Sequence, residues 1–170
     1  MRLRPSASEA RFAHAMGLVR LGRYRQARDS LSAAMTLHPE RPQFAHALAR
    51  VLAASPDPGV RNGEQALAIA RELSARDRTT DLGETLAMAL AETGKYEEAA
   101  AVQRGVIGAA RRGGASALAD AMTRTLREYE AGRPCRTPWR NDHPVHVPVP
   151  PAGVGDRQSA GVPRKTGPVS

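Results

Sequence analysis

The 170-residue chain has a single cysteine, Cys135, so no internal disulfide framework can be built and a free thiol is expected. Aromatic side chains make up only 4% of the residues while alanine is abundant. Strands draw on aromatic and β-branched residues, so this composition disfavours a sheet and fits closely packed helices. Lysine is nearly absent: two against 23 arginines. No apolar run approaches the 18 or so residues of a membrane span. The opening "MRLRPSASEARFAHAMG" lacks the uninterrupted apolar core of a secretory signal, because Arg11 and His14 interrupt it. The expectation is a soluble, cytoplasmic, all-α protein. No phosphate loop, nucleophile elbow or pair of metal-spaced cysteines is present.

The formal net charge is +8, and its distribution says more than its sum. Arg2, Arg4, Arg11, Arg20, Arg23, Arg25 and Arg28 crowd the first 30 residues against only Glu9 and Asp29. Residues 31–132 balance 12 basic against 13 acidic side chains, and the stretch from Arg133 holds six against two. A basic end can meet nucleic acid, an anionic membrane or an acidic protein, although a solvated arginine-rich surface is the plainer reading.

Self-comparison organises the chain. "RLGRYRQARDSL" at 20–31 and "AETGKYEEAAAV" at 91–102 each place an aromatic two residues after a glycine and an alanine three further on: Gly22, Tyr24, Ala27 and Gly94, Tyr96, Ala99. A segment with helical apolar spacing precedes each glycine and another follows it, so each unit reads as helix, tight turn, helix. The glycines lie 72 positions apart, two periods of 34 plus four residues. A middle unit is therefore expected, with "QFAHALARVLA" and "EQALAIARELSA" as its helices and Ala66 in the place of Ala27 and Ala99. The extra residues fall in "SPDPGVRNG" between them. There Pro56 and Pro58 end one helix, and Asn62 with Gln65 has the spacing of a helix cap; Asp57 and Arg61 are placed to pair across the turn.

These residues resemble the tetratricopeptide repeat family, with its period of 34, small residues in the first helix and alanine in the second. The pattern is carried by Ala15, Leu18, Gly22, Tyr24, Ala27, Ala34 and Pro39, then Leu48, Ala49, Leu52 and Ala66, then Leu86, Ala87, Leu90, Gly94, Tyr96 and Ala99. Departures are plain: the slot usually filled by Trp holds Arg11, Ala45 and Gly83, the large apolar slot of the second helix holds Leu31, Ala70 and Gln103, and only the first unit ends in proline. The resemblance implies antiparallel helical hairpins stacked as an α-solenoid, with repeats at about 8–41, 42–79 and 80–113 after an extension over residues 1–7. A C-terminal capping helix at about 115–131 follows, with Ser116 as its cap and Gly132 at its end. Residues 133–170 hold eight of the 13 prolines and read as a basic, disordered tail whose first residues, through Trp139, fold back on the cap.

In that family the first helices line a groove that receives an extended peptide or a helix. The matching positions are Phe12 and Met16, His46 and Arg50, and Glu84 and Met88. The methionines and Phe12 offer adaptable apolar contact, or simply fill core, while Arg50 and Glu84 can orient a ligand by charged hydrogen bonds. A carboxylate clamp of the chaperone-tail type is disfavoured, since Phe12, Met16, Ala47, Asp81 and Thr85 stand where Lys and Asn would be needed.

The expected function is a non-catalytic adaptor or assembly scaffold, monomeric or weakly self-associating, that binds a protein or peptide without a cofactor or metal. Two other readings stay open. One is an accessory piece of a glycosyl- or sulfotransferase-type system, since such repeats often adjoin those domains. The other is nucleic-acid binding by the patch Arg20, Arg23, Arg25 and Arg28, which is the less expected of the two partner classes. His143 and His146 have no further close ligands and make a poor metal site.

Overall fold

The computed structural model describes residues 6–140 and 143–146. Among them are seven α-helices, one short 3-10 turn and no strand, so the all-α expectation holds. The helices are α1 (Ala7–Arg20), α2 (Tyr24–Leu37), α3 (Pro42–Ala54), α4 (Gly63–Arg76), α5 (Thr80–Glu92), α6 (Tyr96–Arg112) and α7 (Ser116–Glu130), with the turn at Pro144–His146. No helix among the described residues is long and apolar enough to cross a membrane. Most of the expected amino-terminal extension, residues 1–5, and the tail beyond 146 lie outside the described residues.

Four helix ends share one device. At the end of α1 the Gly22 N–H donates to Val19 O and the Arg23 N–H to Leu18 O, with Gly22 at φ +70°. That left-handed backbone costs a side-chain-bearing residue free energy and costs glycine none, so the glycine stops the helix and reverses the chain. The same pair of bonds recurs at Gly94, Gly114 and Gly132. The end of α3 lacks it. There the chain enters the loop 55–62, whose last residue returns an N–H to Leu52 O at 3.0 Å.

Asn62 caps α4 as its spacing predicts, its side-chain oxygen accepting from the Gln65 N–H at 3.1 Å. Ser116 does not cap α7: Ala115 holds the cap position with no side-chain bond, and Ser116 is already the first helical residue. Nor do Asp57 and Arg61 pair across the loop. Asp57 takes Arg25 of α2 at 3.0 Å, and Arg61 reaches Glu92 of α5 at 3.0 Å while also donating to Ser55 O. Each charge finds its partner on a neighbouring helix, so the loop is fastened to α2 and α5 rather than closed on itself.

Each helix packs on the next, and α3 also packs on α5. Ala27, Ala66 and Ala99 are completely buried at these contacts. Small side chains there let helix axes approach closely. The glycine at position 83 has the same purpose: a Cβ there would stand 3.2 Å from Val106 Cγ1, tighter than most real contacts. Gln103 occupies an apolar slot yet is fully buried, donating its amide to Met122 O at 3.1 Å and so tying α6 to α7. One apolar cluster runs from Ala15 and Met16 through α3 to Met88 and Leu90, and it takes in Tyr129 and Trp139; a smaller one lies between α6 and α7.

Candidate functional site

The site grows from two helices that place polar side chains on a shared contact. On α3, His46 and Arg50 lie one turn apart; on α5, Glu84 and Thr85 face them. Arg50 and Glu84 are both buried, at 3% and 6% exposure. The Arg50 Nη2 donates to Glu84 Oε2 at 2.5 Å, and its Nη1 to Thr85 Oγ1 at 3.3 Å. Thr85 passes its own proton to Asp81 O at 2.9 Å. The 2.8 Å contact between Thr85 Oγ1 and His46 Nε2 therefore has the imidazole as donor, with a proton on Nε2. Burial, reinforced by the Arg50 charge, pushes the His46 pKa down to about 4, against smaller opposing effects of Asp81 and Glu84.

A buried ion pair repays its desolvation only when the remaining donors and acceptors are satisfied. Here the third direction of the guanidinium is met by the chain itself. Arg50 Nε donates to the main-chain carbonyl of Pro138, and the guanidinium lies over the Trp139 ring, 5.4 Å from its centroid. Pro138 and Trp139 are buried. The segment that carries them leaves α7 at Gly132 and is pinned on α5 by an Arg136 to Glu92 bond. It crosses α3 at Arg50 and meets α1 through the 3-10 turn, where the His146 ring stands edge-on to Trp139 at 6.5 Å. This segment touches the cap and reaches past it: Arg133 pairs with Glu128 of α7 at 2.7 Å and Trp139 shares an apolar cluster with Tyr129 of α7, while Pro138 and Trp139 extend onto Arg50 of α3. What draws the segment onto α3 is the buried guanidinium: Arg50 supplies a donor for a carbonyl and a cationic surface for an indole.

The six positions expected to line a groove are not all open. Met16 and Met88 are buried in the apolar cluster, 3% exposed each, so for them the core-filling reading applies. Phe12 is half-buried and packs edge-on against Phe44, with centroids 5.9 Å apart. His46, Arg50 and Glu84 come together as described. Of the basic patch, Arg20 and Arg23 are exposed, whereas Arg25 is engaged by Asp57, and Arg28 by Asp29 and Gly59 O. Half of that patch is thus spent on the loop and on its own helix, so its four arginines do not form one free cationic surface. His143 Nδ1 accepts from the Val145 N–H, and no group of three or more His, Cys, Asp or Glu among the described residues is arranged to hold a metal ion.

Sequence reasoning missed Thr85, Glu92, Arg136 and Trp139 as members of this site. Glu92 is the shared acceptor of Arg61 and Arg136, which joins the loop 55–62 to the C-terminal segment. Beside them lie Tyr129 and Cys135, whose pKa values are both raised by burial; the Tyr129 hydroxyl has no hydrogen-bond partner among the described residues. The chain matches no protein-family model, no curated protein and no solved structure.

Proposed function

We propose that the chain is a non-catalytic protein-interaction module of the tetratricopeptide type, in which α1, α3 and α5 are the first helices of three stacked hairpins and their common face is a groove for an extended peptide. The observation that carries this reading is the Arg50 guanidinium, buried against Glu84 and Thr85 yet turned to a main-chain carbonyl and an indole. A carbonyl is offered by any peptide, so the contact supports recognition of a backbone, while the apolar surroundings select an aromatic side chain. The glycine-stopped helices and the buried Ala27, Ala66 and Ala99 at equivalent places support the repeat reading.

The test is selection of random displayed peptides on the full chain, followed by affinity measurement with the half-buried His46→Ala and Phe12→Ala variants. Peptides that share an aromatic consensus and lose at least tenfold in affinity on either substitution are expected. Enrichment of peptides insensitive to both substitutions would place the binding surface elsewhere. Binding of an oligonucleotide that collapses with salt and with reversal of Arg20 and Arg23 would favour the nucleic-acid reading instead.

A further inference from the structure

Resting on the peptide-groove reading, we propose that residues 133–140, "RPCRTPWR", are the groove's resident ligand, and that its external partner is an extended peptide carrying Arg-x-Pro-Trp which must displace them. The seated residues define the chemistry. Arg136 is held by Glu92 of α5, itself 13% exposed at the side chain, so the first position takes a guanidinium. Thr137 is exposed, so the second position is unselective. Pro138 is buried and gives its carbonyl to Arg50; proline holds the backbone extended and brings no N–H that would need a partner there. Trp139 lies over the same guanidinium and joins the core at 7% exposure.

Three further facts mark the segment as an occupant rather than another layer of the fold. It is irregular over residues 133–140, so it makes no helix packing of its own. Its polar anchors, Glu92 and Arg50, belong to α5 and α3, which already pack on each other without it. It follows Gly132, whose left-handed conformation ends α7, so the helix stops before the segment begins. A tethered ligand acts at an effective concentration of roughly millimolar, so a free peptide of equal intrinsic affinity meets strong competition from it.

Trp139 is the only tryptophan in the chain, and its emission therefore reports occupancy directly. Wild-type protein is titrated with a synthetic peptide of residues 133–140 in which Trp is replaced by Phe, which is dark at the tryptophan wavelength. A saturable red shift at millimolar peptide is expected, with no such shift for a peptide bearing Ala-Ala in place of Pro-Trp. Arg136→Ala, which loosens the resident segment without altering a helix, should lower the peptide concentration at half-shift at least threefold. Helical circular dichroism should be unchanged throughout. No shift in the wild type or in Arg136→Ala, while display-selected peptides bind both with equal affinity, would overturn self-occupancy and leave the groove reading standing. Failure of every peptide with both proteins would overturn the two together. A concentration-dependent dimer, lost in Trp139→Ala, would overturn the external partner by making a second copy's segment the occupant.

Discussion

Arg50 and Glu84 meet at 2.5 Å with both side chains buried, one from α3 and one from α5, 34 positions apart in the chain. The pair joins α3 to α5 and at the same time aims a cation at the segment lying across them. Removing one partner leaves the other charged and buried, so Arg50→Ala or Glu84→Ala should each cost about 3–5 kcal/mol. Replacing both together with Met and Leu should cost far less. Urea denaturation of the two single variants and the double variant measures the difference, and additive losses would contradict the pairing.

His46 gives the chain a pH dependence with a defined sign. Its folded pKa of about 4 lies below the ordinary imidazole value of 6.5, so between those pH values the unfolded chain binds the extra proton and the folded chain does not. Stability should be unaffected by this group above pH 6.5, fall as pH drops toward 4, and lose roughly 3 kcal/mol from it below that. His46→Gln, which keeps a donor for Thr85, should remove most of this slope in denaturation midpoints taken from pH 7 to pH 4. A slope equal to that of the wild type would place its origin in other groups.

Overpacking tests the close helix crossings. Ala99 is completely buried between α5 and α6, and Ala99→Leu should cost roughly 1–3 kcal/mol, with Ala27→Leu behaving alike. A thermal midpoint equal to that of the wild type would mean that space remains at the crossing.

Glu92 serves two arginines, so its loss should be felt in two places. Glu92→Gln is expected to lower stability by about 1 kcal/mol, the modest figure of a partly exposed charge pair, and to raise amide exchange both in the loop 55–62 and around Arg136. Exchange confined to one of the two would show that Arg61 and Arg136 act independently.

Helix content and helix ends were legible because they depend on local chemistry. Gly22, Gly94 and Gly132 could be read as helix ends from spacing alone, and Asn62 with Gln65 as a cap. The capping box of Ser6 and Glu9 carries an equally local signature and was open to the same reading. Pairings across helices were not legible. Asp57 and Arg61 sit close in sequence, yet each is claimed by a helix more than 30 positions away. Spacing placed Arg50 and Glu84 on facing helices but gave no sign that Pro138 and Trp139 would cover them. A proline-rich stretch without periodicity holds no internal reason to be ordered; its order comes from a cation 88 positions earlier in the chain.

The central claim, that the face of α1, α3 and α5 is a peptide site read by Arg50, is tested most directly by the anisotropy of a labelled peptide of residues 133–140 added to the Trp139→Ala chain. Saturable binding is expected, changed less than threefold between about 50 and 500 mM salt, and abolished when Pro-Trp in the peptide becomes Ala-Ala. Absence of saturable binding to a chain that remains helical, or binding that falls with salt and ignores the Pro-Trp replacement, would contradict it.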